Sequence, residues 1–258
     1  MKKLFKNNEQ WINEMFKYFC NILTEKWLEN FKINPEEPST IFLAWAPGSG
    51  KTEFIESRID NSKYVIIDVD KYRNLFEWYN WINASEFQEN STKVANKIYK
   101  FCMQNNLNLV VDWTFWNMNV IEQNIWQCKR KNRDFGIILI YQDPVFSYFY
   151  TKKRELDWKR NVPQNIFIEK YYNSISNSFE ILEKFPDISF IVAFKNYKKS
   201  IFDTKSSIIN KNKFDKTFNV DYNEKNLQMK LNKIDELLSN WNFFITNIMK
   251  LLWHKKKN

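Results

Sequence analysis

The chain carries its densest chemistry in Trp45-Ala46-Pro47-Gly48-Ser49-Gly50-Lys51-Thr52. A phosphate-binding loop reads Gly, four residues, then Gly-Lys-Ser/Thr, and Gly50, Lys51 and Thr52 meet that pattern while position 45 holds Trp in place of the first glycine. Glycines let backbone N–H groups curl around phosphate oxygens, and a helix N-terminus behind them adds a favourable field. In such a loop Lys51 reaches the β- and γ-phosphates and the Thr52 hydroxyl ligates Mg²⁺. The whole chain has 3 glycines, and 2 of them, Gly48 and Gly50, fall inside this motif, which argues against a chance glycine-rich turn.

Three further groups have residue types suited to phosphoryl transfer. Asp68-Val69-Asp70 closes an apolar run: it is either a helix cap or a general base with a second carboxylate beside Mg²⁺, and Arg73 one turn later suits an anionic substrate. Asp112-Trp113-Thr114 closes another run, as a strand-end turn or as a pair of groups facing metal and substrate. Arg154 and Arg160 lie in a basic stretch ending at Pro163. They belong to a solvated helix face or supply cations to the γ-phosphate, a task suited to the planar guanidinium fork.

The elements that must position these groups alternate. Short apolar runs at 41–44, 64–67, 107–111, 136–141 and 188–193 read as strands, and segments of helical period at 52–60, 86–104, 118–132 and 164–185 lie between them. Strand–helix alternation predicts an α/β fold, a mostly parallel sheet with helices on both faces. Continuous apolarity in the strands agrees with burial on both sides. In such a sheet ligands sit beyond the carboxyl ends of the strands, which places the loop and both acidic groups in one crevice.

Helical extensions flank that sheet. Apolar residues from Ile12 to Trp27 predict a helix over 8–32, stopped by Pro35 and Pro38. Residues 196–222 are polar and read as a linker or irregular extension. Leu227, Leu231, Ile234, Leu238, Trp241, Ile245, Ile248 and Leu252 then step by three and four along a long amphipathic helix, packed on the domain or offered to a partner. The expected division is 1–38 as an N-terminal helical segment, 39–196 as a P-loop kinase domain and 197–258 as linker and C-terminal helix.

Composition narrows the function. His254 is the single histidine, which excludes histidine-based catalysis and histidine-rich metal sites. No apolar stretch approaches a membrane span, the N-terminus lacks an apolar signal core, and Cys20, Cys102 and Cys128 stand in no metal or disulfide spacing; the expectation is a reducing cytoplasm. The net charge of +9 is spread along a chain rich in Lys, Asn, Ile, Phe and Tyr, so it reads as nucleotide composition of the coding sequence and argues against nucleic acid as the main ligand.

Together these residues resemble the zeta toxin family of P-loop kinases. The resemblance covers about three-fifths of the chain, from Ile41 to Lys195. It rests in order on Pro47 to Thr52, on Ile67-Asp68-Val69-Asp70 with Arg73, on Asn83 to Gln88, on Val111 to Phe115, and on Arg154 to Pro163 followed by Phe167-Ile168. It implies a kinase using ATP and Mg²⁺ on the 3-hydroxyl of the amino sugar of UDP-N-acetylglucosamine. It makes Lys51 the loop lysine and Asp70 the catalytic base. Ala46 to Thr52, Arg154 and Arg160 become the ATP contacts, and Asp68, Arg73, Asp112 and Thr114 the substrate contacts. A small antitoxin as partner is a further implication. The residues leave room for a P-loop kinase acting on another small-molecule or polynucleotide hydroxyl, and for a non-catalytic nucleotide-dependent interaction protein.

Glycine and tryptophan usage is anomalous. Ordinary usage of about 7% would give roughly 18 glycines, whereas the chain has 3 glycines and 11 tryptophans. Some bacterial lineages read the UGA codon as glycine where another translation table reads tryptophan. Trp45, Trp113 and Trp116 fall where the resemblance places glycine, and Trp78, Trp81 and Trp158 in expected turns. These six are therefore expected to be glycines in the organism.

Overall fold

The computed structural model describes residues 5–24, 37–112, 115, 117–158, 161–196, 201–203 and 222–254. A six-stranded sheet forms its centre. The strands are β1 (Ser39–Trp45), β2 (Val65–Asp68), β3 (Leu109–Asp112), β4 (Asp134–Tyr141), β5 (Ser189–Asn196) and β6 (Ile201–Asp203), in the order β2-β3-β1-β4-β5-β6. All pairings are parallel except β5 with β6. The antiparallel β6 corrects the reading of 196–222 as wholly irregular: its Ile201 lies opposite Asn196. The rest of that stretch lies outside the described residues.

The helices are α1 (Glu9–Ile22), α2 (Lys51–Arg58), α3 (Val69–Arg73), α4 (Gln88–Gln104), α5 (Met118–Arg130), α6 (Pro144–Trp158), α7 (Gln164–Lys184) and α8 (Glu224–His254). The predicted helix over 8–32 is seen as α1, and 25–36 lie outside the described residues. Alternate strand residues pack on opposite faces. Phe42, Ile67, Val111, Leu139 and Val192 join the larger core cluster, while Leu43, Val110, Ile140 and Ala193 pack with Phe54 and Ile55 of α2. Burial on both faces is why the strands read as unbroken apolar runs.

Both ends of the chain contribute to packing. Ile12 and Met15 of α1 are buried in the larger cluster, and Phe5 forms a parallel bridge with Phe76. Leu227 and Leu231 of α8 are buried against Tyr148 of α6 and Phe167 and Tyr171 of α7. The Tyr148 hydroxyl donates to the Asp235 carboxylate (2.8 Å), which also accepts from Gln164 Nε2 at 2.9 Å. No described helix is long and apolar enough to cross a membrane.

Candidate nucleotide and phosphoryl-transfer site

The strand order turns outward in both directions from β1, toward β3 on one side and β4 on the other. That switch point opens a crevice at the carboxyl ends of the strands. The chain crosses it between β1 and α2, in the segment Ala46 to Gly50. Two backbone features make the turn possible. Gly48 and Gly50 have φ of 78° and 89°, the left-handed region that glycine enters without cost. Space is equally restrictive: a Cβ on Gly48 would overlap the Ser147 carbonyl and lie 2.7 Å from the Thr151 hydroxyl, both on α6. Gly50 caps α2 and Lys51 opens it, so the loop delivers its lysine to a helix N-terminus.

Lys51 stands among carboxylates. Its ammonium forms an ion pair with Asp112 and lies 3.8 Å from Asp68 Oδ2. Burial alone would pull the ammonium's pKa down, but Asp112, Asp68 and Asp70 outweigh it and hold it above its ordinary value. Burial pushes the Asp112 carboxyl up, with Asp68 adding to the rise and Lys51 opposing it. The register explains the convergence, since Asp68 and Asp112 are direct partners across β2 and β3, with side chains on the same strand ends.

Asp68 is the helix cap that its sequence allowed, and it also turns a carboxylate oxygen toward the loop lysine. Its Oδ1 accepts from the Asp70 backbone N–H at 2.9 Å, capping α3, while its other oxygen faces Lys51. That cap starts a single helical turn at Val69, which places Asp70 and Arg73 on one side three residues apart. The Arg73 guanidinium, largely buried, donates to Asp70 Oδ1 at 2.6 Å. Arg73 thus holds Asp70.

The other wall of the loop is α6. Ser147 and Thr151 face Gly48, and Arg154 follows at the spacing that continues that face. Trp158 is the last residue of α6, which corrects its expected place in a turn. Arg160, Thr114, Trp113 and Trp116 lie outside the described residues. The Ser49 hydroxyl is buried with no hydrogen-bond partner, an orphaned oxygen inside the loop that an incoming phosphate would satisfy.

Hydroxyl and carboxylate oxygens are the donors Mg²⁺ takes. Thr52 follows Lys51 at the start of α2, and Asp68 and Asp112 lie at the Lys51 ammonium, so the donor types present suit the ion, although no group of three or more His, Cys, Asp or Glu side chains among the described residues is gathered to hold a metal.

Two further side chains enter the site: Trp45, which the sequence reading marked only as a misfit in the loop pattern, and Lys195, which it did not single out. Trp45 Nε1 donates to Asp112 Oδ1 at 2.8 Å, and its ring lies 4.7 Å from the Lys51 ammonium. Lys195 reaches from the end of β5 across Gly50. The rule that ligands gather at strand carboxyl ends could have flagged Lys195, which lies one residue from the end of the parallel strand β5.

The sequence profile described as Zeta toxin matches residues 24–207, more than half of the chain. No curated protein matches. Among solved structures, a chain of the PezAT chromosomal toxin–antitoxin system of the human pathogen Streptococcus pneumoniae aligns over 90% of this chain and 98% of its own, with TM-score 0.62 and 18% identity. A chain of AvrRxo1-ORF1:-ORF2 with ATP aligns over 74% of this chain and 69% of its own, with TM-score 0.57 and 12% identity. The same pair with sulphate ions gives 87%, 84%, 0.58 and 11%. At these identities the structures speak for the fold, a P-loop kinase-like α/β sheet.

Proposed function

The chain belongs to the zeta toxin family of P-loop kinases, and from that premise we propose that it transfers the γ-phosphoryl group of ATP to a hydroxyl of a nucleotide sugar such as UDP-N-acetylglucosamine. The observation that carries this reading is the placement of Lys51 at the start of α2 with Asp68 and Asp112 around it and the Arg73-held Asp70 beside them. A phosphoryl group passing between two oxygens needs positioning and charge compensation more than covalent chemistry.

The backbone of Ala46 to Gly50 cradles the β- and γ-phosphates, and Lys51 leaves Asp112 to meet them. Asp70 accepts the proton of the attacking hydroxyl, its carboxylate fixed by Arg73. Arg154 and Arg160 meet the charge that builds on the transferred group. Asp68, Asp112 and Thr114 orient the acceptor. Thr52 would hold Mg²⁺, which supplies neutralising charge between the phosphates. The toxin–antitoxin setting of the PezAT structure supports a small antitoxin as regulatory partner, and the free thiols Cys20, Cys102 and Cys128 agree with action in a reducing cytoplasm.

The test is incubation of the full chain with ATP, Mg²⁺ and UDP-N-acetylglucosamine, read by mass spectrometry. The expected product is the monophosphorylated sugar nucleotide, lost about 10²- to 10⁴-fold in Asp70→Asn with ATP binding retained. Transfer to a different alcohol in an acceptor panel would move the assignment to another substrate. Unimpaired transfer in Asp70→Asn would remove the base from its role.

A further inference from the structure

The phosphate loop stands between two unlike walls. On the β2/β3 side are Asp68, Asp70 and Asp112, and Lys51 leans toward them. On the β4/β5 side are α6 and the end of β5. In a transfer reaction the γ-phosphoryl group must face the acceptor and its base, which fixes it toward the carboxylate wall. A nucleoside triphosphate is a linear chain, so its α-phosphate and nucleoside leave the loop on the opposite side.

Lys195 occupies that side. It is the penultimate residue of β5, paired with Phe202 of β6. Its side chain is 10% exposed, unusual for a lysine, and it lies across the last glycine of the loop: a Cβ on Gly50 would be 2.6 Å from Nζ and 2.8 Å from Cδ. The ammonium is 3.4 Å from Glu53 Oε1 on α2 and 5.6 Å from the centroid of the Tyr150 ring on α6. Glu53 is 62% exposed, so that ion pair is a weak anchor. Tyr150 is half-buried, with the partly exposed ring of Phe149 at 5.8 Å.

We propose that Lys195 and Tyr150 form the nucleoside-side half of the nucleotide site. The ammonium leaves Glu53 for the α-phosphate oxygens, and the Tyr150 ring, uncovered by that movement, receives the base. The ligand class is a nucleoside 5′-triphosphate, distinguished from bare polyphosphate by the aromatic contact. This rests on the reading of the chain as a nucleotide-dependent phosphotransferase.

The test uses the full chain, with and without Trp45→Gly, and titrates ATP and inorganic tripolyphosphate by calorimetry in Mg²⁺. Lys195→Met keeps the apolar stem over Gly50 and is expected to weaken ATP about tenfold, the value of one charge-assisted contact. Tyr150→Leu is expected to weaken ATP about fivefold and to leave tripolyphosphate within about twofold, because only the base stacks. Equal losses for ATP and tripolyphosphate in Tyr150→Leu would overturn the assignment, as would unchanged ATP affinity in both folded variants. Phosphoryl transfer is read separately. A parent chain that transfers phosphate while both variants bind ATP as it does refutes this proposal alone. Tenfold and fivefold losses in a chain that phosphorylates no sugar refute only the acceptor. A chain that binds neither ligand refutes both.

Discussion

Trp45 is where the ground state of the site can be perturbed most directly. Its indole N–H donates to Asp112 and its ring sits 4.7 Å from the Lys51 ammonium, so it stabilises the lysine in the position it must leave to meet a nucleotide. A cation over an aromatic face contributes about 0.5–2 kcal/mol, rising with desolvation. The Lys51 side chain is 12% exposed, which places this contact toward the upper part of that range. Removing the ring in Trp45→Gly should therefore tighten ATP about 2- to 30-fold. The same change removes a charge-assisted hydrogen bond of about 1.5–3 kcal/mol and adds about 0.5–1 kcal/mol of glycine entropy. The melting temperature should then fall by roughly 5–15 °C. Trp45→Phe separates the two effects: it keeps the ring over Lys51 and loses only the donor, so its ATP affinity should stay near the parent while its stability falls. Calorimetric titration with ATP and thermal melts of the three proteins decide the matter. A folded Trp45→Gly that binds ATP no better than the parent would refute the restraint on Lys51.

Other outcomes follow from single contacts. Trp78 has φ of 64° and is 84% exposed, so Trp78→Gly should relieve a left-handed backbone at no packing cost, gaining about 1 kcal/mol and raising the melting temperature by roughly 2–4 °C; a fall would contradict the strain. Asp235→Ala leaves the buried Tyr148 hydroxyl and Gln164 without their shared acceptor, and should cost about 1–3 kcal/mol and expose α8 to limited proteolysis ahead of the sheet. Burial pushes the Cys102 thiol up to about 12 and raises Cys128 as well. Because only the thiolate reacts, iodoacetamide at about pH 8 should modify both slowly in the native protein and readily in denaturant, and rapid native labelling at Cys102 would show that this helix opens.

Much of the fold was legible because double burial writes itself into sequence. A strand covered on both faces has no polar side to alternate, so the runs at 41–44 and 136–141 located β1 and β4 within two residues at each end. β6 was not legible, since three residues pairing through the backbone of β5 need no side-chain pattern. The single turn α3 was legible only as one alternative, a helix cap at Asp68, because that residue ends a strand and caps a helix at once. The carboxylates were legible as a group from the rule about strand ends. The long-range contacts at the site were not, because Trp45 meets Asp112 across 67 residues and Lys195 meets Glu53 of α2 across 142.

The tryptophans show how sequence and structure divide an argument between them. Chemistry alone singles out position 45, where the backbone is ordinary β-strand paired with Ile140 and any residue fits, but where a side chain stands between Lys51 and its ligand. Backbone alone singles out position 78, where a bulky residue holds a left-handed φ that glycine adopts freely. Neither argument reaches Trp81, which packs against the larger core with its ring 5.6 Å from Tyr79, nor Trp158, which ends a helix. A translation of UGA as tryptophan where the organism inserts glycine would not choose among positions by their function. It would leave some indoles at strained or obstructive places and others where the surrounding surface tolerates them. Two unrelated kinds of misfit, one in the backbone at 78 and one electrostatic at Lys51, are what such an origin would leave, and UGG codons at 45 and 78 in the coding DNA would refute it. A tryptophan-rich variant shaped by selection would have kept indoles where they pack, as at 81, and would have had no reason to retain one at 78, with most of its ring in water and its backbone in a region that side chains avoid.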